Sequence, residues 1–164
     1  ATVENGTCLY SNPQIGDLRQ GGIVFYVDET GKHGLVASLE DLGYFPWGCY
    51  GAEISGADGL TIGTGYQNSL DIVSDCSDSP TAAKLALDYE SDGYEDWYLP
   101  SLGELQEMYI VFGTGYNNIG DLLGYDYYWS SSERDEETSW IIQGGAVNYD
   151  TKASGIGVRL IRAY

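Results

Sequence analysis

The pattern of hydrophobic and polar residues changes along the chain from strand-like to helical and back to strand-like. Residues 23–27 are all β-branched or aromatic, residues 28–31 are a polar turn, and residues 34–38 again have strand character. Two such runs around a short polar segment predict a β-hairpin. Residues 39–65 show no sustained period of either kind. A loop of this length is typical of a functional segment or of one held by a crosslink.

Helical patterns occupy the middle of the chain. Residues 67–73 predict a short helix ahead of Cys76. Ser79 and Pro80 are the residue types of an N-cap and a first helical position. They predict a second helix that ends at about Tyr89.

The clearest local signal is a capping box formed by Ser101 and Glu104, in which each side chain satisfies a free backbone N–H of the other residue. Apolar residues follow at helical spacing, and Gly113 ends the predicted helix. Short strands are then expected at residues 127–132, 138–142, 146–149 and 157–164. The order of a hairpin, then helices, then a run of strands predicts an α+β domain.

The charge of the chain limits its partners. The chain has 164 residues, of which 25 are acidic and 7 are basic, and its net charge is −18. Phosphate backbones and anionic membranes would be repelled, so we expect no nucleic-acid binding. No apolar stretch reaches the length of a membrane-spanning helix, so we expect no direct membrane insertion. The 23 glycines and 15 tyrosines indicate many loops and an aromatic surface.

The three cysteines are Cys8, Cys49 and Cys76. They contain no CxxC pair, and His33 is the single histidine, which disfavours a zinc site. Cys49 and Cys76 lie in glycine- and aspartate-rich surroundings that suit a disulfide in an oxidising compartment. Cys8 is then either free or paired with another chain. We therefore expect a secreted, extracellular protein.

Five strings in a fixed order resemble a known bacterial domain family, the Lcl C-terminal domain, which is typified by the C-terminal domain of a collagen-like adhesin. The strings are GGIVFYVD at 21–28 with HGLVA at 33–37, WGCYG at 47–51, DWYLPS at 96–101 with EL at 104–105, YWSSSE at 128–133, and VRLIRAY at 158–164. The similarity runs from about Ile15 to the last residue, which leaves residues 1–14 as a lead-in and residues 15–164 as one domain.

This resemblance implies a C-type-lectin-like fold with an N-terminal hairpin, two to three helices and a C-terminal antiparallel sheet. In such folds the last strand pairs near the first. It also implies display on a bacterial surface or fibre, frequently as a homotrimer, and adhesion to glycans or other surface ligands. The adhesin relative is associated with sulfated polysaccharides, but a net charge of −18 disfavours a polyanionic ligand here.

One acidic segment has the beginning of a calcium-binding pattern. Asp88, Glu90 and Asp92 place carboxylates at alternate positions before a glycine, as in an EF-hand loop. The twelfth position is Leu99 rather than a glutamate, so the EF-hand pattern fails. A looser calcium site remains as one interpretation and a solvated acidic turn as the other. A second acidic cluster at residues 135–137 is expected to be a hairpin turn.

The best ligand candidates combine aromatic stacking faces with hydrogen-bonding groups. They are Tyr125, Asp126, Tyr127, Trp140, Asn148, Tyr149 and Asp150. Because side chains alternate along a strand, about half of the aromatic residues should face the core. Trp97 and Trp129 are expected in the core. Arg159 and Arg162 are expected to bind Asp96, Glu104 or Glu133.

The residues disfavour an enzyme. A nucleophile needs a base within hydrogen-bond reach, and His33 lies in a turn. Formylglycine-generating oxidases share the broad superfold, but Cys49 and Cys76 lack matching surroundings. The leading hypothesis is a non-catalytic adhesion module that recognises a glycan or a protein surface. The alternative is a self-associating subunit or cap of a bacterial surface filament, which Cys8 and the tyrosine- and glycine-rich surface would fit.

Overall fold

Three helices and two β-sheets form in the part of the chain that the structure, a computed structural model, describes: residues 11–113 and 123–164. In chain order the elements are β1 (Leu18–Arg19), β2 (Gly22–Val27), β3 (Gly34–Ala37), β4 (Tyr44–Phe45), α1 (Gly65–Asp75), α2 (Ala82–Leu87), α3 (Leu102–Phe112), β5 (Tyr127–Glu133), β6 (Thr138–Gln143), β7 (Ala146–Thr151), β8 (Ile156–Gly157) and β9 (Ile161–Ala163). The predicted α+β class is confirmed. Cys8 lies outside the described residues.

The predicted hairpin forms and becomes the centre of the first sheet, whose order is β1-β2-β3-β9. β2 and β3 pair antiparallel, with Val24 opposite Val36. β9 adds on the far side of β3 and places Ala163 opposite Leu35. Gly34 and Tyr164 exchange backbone hydrogen bonds of 3.2 and 3.1 Å just beyond this pairing. The last strand is thereby fastened to the first hairpin.

The second sheet has the order β4-β8-β5-β6-β7. β5, β6 and β7 form an antiparallel meander, as the alternating strand and turn signals predicted. The acidic residues 135–137 form the turn between β5 and β6, where Asp135 Oδ1 accepts hydrogen bonds from the N–H groups of Glu137 and Thr138. The expected hairpin turn is confirmed at this position.

The prediction of one continuous strand over residues 157–164 is wrong, because this segment passes from one sheet to the other. β8 belongs to the second sheet and β9 to the first. Between these two strands the side chain of Arg159 is buried, and its Nε donates a hydrogen bond of 2.8 Å to the carbonyl of Ser38. The backbones of Val158 and Leu160 accept hydrogen bonds from the chain that follows β3. These bonds replace a strand ladder with a buried crossover.

Helices α2 and α3 begin at side-chain caps. At α3 the capping box of Ser101 and Glu104 is confirmed in both directions, and the helix ends at Gly113. The predicted start of α2 at Ser79 and Pro80 is wrong. Thr81 is the N-cap: its backbone is extended, and its hydroxyl accepts a hydrogen bond from the N–H of Lys84. A hydroxyl at this position satisfies a helix N–H that would otherwise lack a partner.

Two hydrophobic clusters form the core. The first contains Trp47, Trp97 and Trp129, all fully buried, so the expectation for Trp97 and Trp129 is confirmed. The second includes Phe25, Tyr98, Leu105, Met108, Phe112 and Tyr128. Helix α3 packs against β2 of the first sheet and against β5 and β6 of the second. It therefore joins the two sheets through the second cluster.

The long irregular segment between β4 and α1 is held by two crosslinks. The predicted disulfide between Cys49 and Cys76 is present and joins the segment to the end of α1. The second crosslink is a buried ion pair between Lys152 and Glu133. Lys152 Nζ also donates a hydrogen bond of 2.7 Å to the carbonyl of Ala52 in the segment. Both carboxylate oxygens of Glu133 accept from the backbone N–H of Ile54, at 3.0 Å each. The segment is therefore ordered, as a crosslinked loop should be.

We predict that the double substitution Cys49→Ser and Cys76→Ser lowers the free energy of unfolding by about 3.5 kcal/mol, because the bridge closes a loop of 27 residues. Urea denaturation followed by tryptophan fluorescence measures this difference. A loss below about 1 kcal/mol would show that the bridge does not restrict the unfolded chain as this loop-closure model requires.

We predict that Lys152→Met lowers the free energy of unfolding by about 3–5 kcal/mol, because it leaves the buried Glu133 carboxylate without its cation. The matched control is Lys84→Met, which breaks the exposed pair between Lys84 and Asp88. This control should cost less than about 1 kcal/mol. Equal losses for the two variants in urea denaturation would contradict a special role for the buried pair.

Candidate functional site

A pocket of about 420 Å³ opens between the end of the first sheet and the beginning of α1. We call it the tyrosine pocket. Its lining combines aromatic and aliphatic side chains with three polar ones at the edge: Tyr26, Leu35, Ile62, Tyr66, Tyr98, Ala163 and Tyr164, with Gly34 and Gly63, and Asp28, His33 and Asp96. Its volume falls within the range of small-molecule sites in proteins, about 300–1,000 Å³.

Regular elements hold the walls of the tyrosine pocket. Tyr26 and Leu35 are cross-strand partners in the hairpin. Tyr98 pairs its backbone with Ile161 through hydrogen bonds of 2.9 and 3.1 Å. Tyr66 lies in the first turn of α1, and its ring meets the Tyr98 ring edge-on at a centroid distance of 5.6 Å. Tyr98 is buried, whereas Tyr66 is 46% exposed, so one ring is fixed and the other is open to a ligand.

A buried carboxylate lies behind the pocket wall. Glu104 is fully buried, and its carboxylate accepts hydrogen bonds from the N–H of Gly63 at 2.9 Å and of Ser101 at 2.7 Å. Burial raises the pKa of Glu104. Burial, followed by the charge of Glu104, raises the pKa of Tyr98. The Tyr98 phenol therefore stays protonated and its ring uncharged near neutral pH.

Two carboxylates stand at the rim of the pocket. Asp96 binds the guanidinium of Arg162 through contacts of 2.6 Å to Nε and 3.0 Å to the terminal nitrogen. The hydrogen bonds from Arg162 lower the pKa of Asp96. At Asp28 the hydroxyl of Thr30 donates to the carboxylate and lowers its pKa. Both rim groups are therefore ionised at neutral pH.

The expected arginine pairs are confirmed for one residue and corrected for the other. Arg162 binds Asp96, which was among its predicted partners. Arg159 binds Asp41 at 3.0 Å instead. Glu104 accepts the bonds of the capping box, and Glu133 is bound by Lys152. Neither Glu104 nor Glu133, the other two predicted partners, therefore forms the ion pair that was expected with an arginine.

The predicted ligand residues at the end of the second sheet are divided between its two faces. Trp140 and Tyr149 are cross-strand partners, and their rings meet edge-on at 6.2 Å. The guanidinium of Arg134 lies 4.0 Å from the centre of the Tyr149 ring. Asn148 and Asp150 are on the opposite face of β7, because side chains alternate along a strand.

The polar side chains of β7 are engaged with their own strand. Asn148 Oδ1 accepts from the N–H of Tyr149 at 2.9 Å, and Asp150 Oδ1 accepts from the N–H of Thr151 at 2.7 Å. Asn148 Nδ2 donates to Gln143, which in turn donates to the hydroxyl of Tyr127. These groups therefore form a hydrogen-bonded surface rather than a pocket.

The other predicted ligand residues lie at a third place. The ring of Tyr125 lies 4.3 Å from that of Tyr44 and 5.8 Å from that of the buried Tyr128. Asp126 is exposed beside them. The structure therefore does not bring the seven predicted ligand residues together, and none of them lines the tyrosine pocket.

The residues of the calcium hypothesis are all exposed. Asp88 binds Lys84, and the carboxylates of Asp88, Glu90 and Asp92 do not converge within 4.8 Å of one another. Over residues 11–113 and 123–164, the single group of metal-ligand types that meets this distance is Cys49, Cys76 and Asp78, and its two cysteines form the disulfide. Calcium binding stays a prediction.

The sequence contains no local signal for the tyrosine pocket. Its tyrosines come from four distant segments and are four of the 15 in the chain: Tyr26, Tyr66, Tyr98 and Tyr164. Tyr26 appears only as a strand residue, and Tyr66 directly precedes the predicted helix at residues 67–73. The pocket becomes visible only when β9 joins β3 and places residue 163 beside Leu35.

No protein-family model matches the chain, and no curated protein matches it. Within the described ranges, none of the helices has the combination of length and hydropathy that crossing a membrane requires.

We predict that the ion pair of Asp96 gives the protein a pH-dependent stability at low pH. Because Arg162 lowers the pKa of Asp96 below its ordinary value of 3.8, the stabilisation is complete above that value and is lost as the pH falls through the lowered pKa. The side chain is 56% exposed, so the effect should be below about 1 kcal/mol.

Asp96→Asn should remove this part of the pH dependence, whereas Asp75→Asn, at an exposed position, should retain it. Urea denaturation at a series of pH values from about 6 down to about 2 measures the slope. An unchanged slope in Asp96→Asn would contradict the assignment.

Proposed function

We propose that this chain is an extracellular, non-catalytic binding module that holds a glycan or a protein surface ligand in the tyrosine pocket. The main observation in favour is the pocket itself: about 420 Å³ in volume, lined by four tyrosines and edged by carboxylates. Aromatic faces stack on the apolar faces of sugar rings, and polar groups at a rim fix the orientation of a ligand.

A C-type-lectin-like fold is part of the same proposal. It is supported by the pairing of the last strand with the first hairpin, by the two sheets and by a long loop held by a disulfide. Four of the five strings that resemble the Lcl C-terminal domain form parts of these features, and the fifth, DWYLPS with EL, leads into α3. The disulfide between Cys49 and Cys76 is compatible with a protein that works outside the cell.

Binding rather than catalysis is supported by the state of the pocket carboxylates. Asp96 is paired with Arg162, and Asp28 accepts hydrogen bonds from the N–H and the hydroxyl of Thr30. A general acid or base must be able to exchange a proton with a substrate. Both groups are instead engaged in bonds that position the pocket wall.

We predict that a multimerised form of the domain gives reproducible signals on a glycan array and that Tyr66→Ala weakens them by about tenfold or more, because this substitution removes the exposed stacking face. The matched control is Tyr50→Ala, which removes a tyrosine that is 56% exposed and does not line the pocket. Repeating the array with calcium and with a chelator tests the acidic loop at Asp88.

Two outcomes would contradict the assignment of the site or of the ligand. Loss of signal in Trp140→Ala or Tyr149→Ala, but not in Tyr66→Ala, would move the site to the second sheet. A blank array in both conditions would overturn the glycan ligand and favour a protein ligand or a filament subunit.

A further inference from the structure

The chain binds its own cations with a recurring pair of groups, an aromatic ring and a carboxylate. Lys152 Nζ lies 4.8 Å from the centre of the Trp47 ring and is paired with Glu133. The guanidinium of Arg162 lies 4.0 Å from the centre of the Tyr94 ring and is paired with Asp96. Both groups of the pair attract a cation: the ring through its negative face and the carboxylate through its charge.

The tyrosine pocket has the same two groups, and neither a lysine nor an arginine is among its lining residues. Four tyrosines line it, and Asp28 stands at its rim beside His33. Among the described residues, neither Asp28 nor the buried Glu104 behind the wall forms an ion pair. Arg162, which binds the other rim carboxylate, is already held by Asp96 and Tyr94. The Asp28 carboxylate therefore places a negative charge at the pocket with which no lysine or arginine of the described residues pairs.

The size of the pocket narrows the class of ligand. A volume of about 420 Å³ is much larger than an ammonium group and is sufficient for a sugar residue with its substituents. The Tyr66 and Tyr98 rings can cover an apolar sugar face while a positive substituent lies toward Asp28. We propose that the tyrosine pocket selects an amino sugar with a free, protonated amine, an inference that rests on the function proposed above.

The test compares two oligosaccharides that differ only at the nitrogen. Isothermal titration calorimetry at about pH 6, where an aliphatic amine is protonated, measures Kd for a glucosamine oligomer and for its fully N-acetylated counterpart. The free amine should bind about tenfold or more tightly than the acetylated form, because acetylation removes the charge. Asp28→Asn should weaken binding of the amine form by about tenfold, because it removes the rim charge, and should leave the acetylated form unchanged.

Two control variants separate pocket binding from general attraction to an acidic protein. Asp75→Asn removes the same charge at an exposed position outside the pocket and should not change Kd. Tyr66→Ala changes no charge and should abolish pocket binding. Asparagine at position 28 keeps the oxygen that accepts from Thr30, so the turn is retained.

Three results would overturn the amino-sugar proposal. Equal or tighter binding of the acetylated oligomer, lost in Tyr66→Ala, would refute the ligand class and leave the binding function intact. Equal sensitivity of the amine form to Asp75→Asn and Asp28→Asn, with no effect of Tyr66→Ala, would mean that the acidic surface alone attracts the amine. Failure of both oligomers to bind would refute the ligand class, and the array of the preceding section then decides the function separately.

Discussion

The buried ion pair between Lys152 and Glu133 is the contact on which the position of the long loop depends. The carbonyl of Lys152 also accepts hydrogen bonds from the N–H groups of Trp47 and Gly48, at 3.0 and 3.2 Å. One residue therefore fixes the start of the loop through its backbone and the middle of the loop, at Ala52, through its side chain. Because a buried charge without a partner is costly, this arrangement excludes alternative positions of the loop.

The two buried glutamates bind the long loop at two successive positions. Glu133 anchors the loop at Ile54, and Glu104 anchors it at Gly63, just before α1. Between these two positions, the carbonyl of Leu60 accepts a hydrogen bond of 2.8 Å from the N–H of Gly103. The segment that supplies Ile62 and Tyr66 to the pocket is thus attached to the second sheet at one end and to α3 at the other. The rigidity of the pocket wall is a property of these anchors.

Local chemistry made part of this fold predictable. The hairpin, the capping box of Ser101 and Glu104, and the disulfide each depend on residues whose role is visible in a short window or in their surroundings. The division of residues 157–164 was not predictable, because an apolar run indicates a strand but not its neighbours. Arg159 and Arg162 are the charged residues within that run, and Asp41, the partner of Arg159, lies far away in sequence.

The candidate site was the least predictable part. Aromatic and amide residues concentrated on β6 and β7 indicated a ligand face, but the alternation of the strands and the bonds of Asn148 and Asp150 divide that set. The tyrosine pocket requires β2, α1 and the segment before α3 to meet. That meeting is a consequence of long-range pairing, which a single sequence does not display.

The hydrogen bonds between side chains and backbone within β7 affect how two copies of the domain can pair. β7 is at the edge of its sheet, and an unpaired edge is a template for strand addition from a neighbouring molecule. The bonds from Tyr149 and Thr151 to Asn148 and Asp150 occupy two of the donors that an incoming strand would need. A fibre that grew by extending this sheet would have to break both bonds. Crowded copies of the domain are thereby protected from edge-to-edge aggregation along this strand.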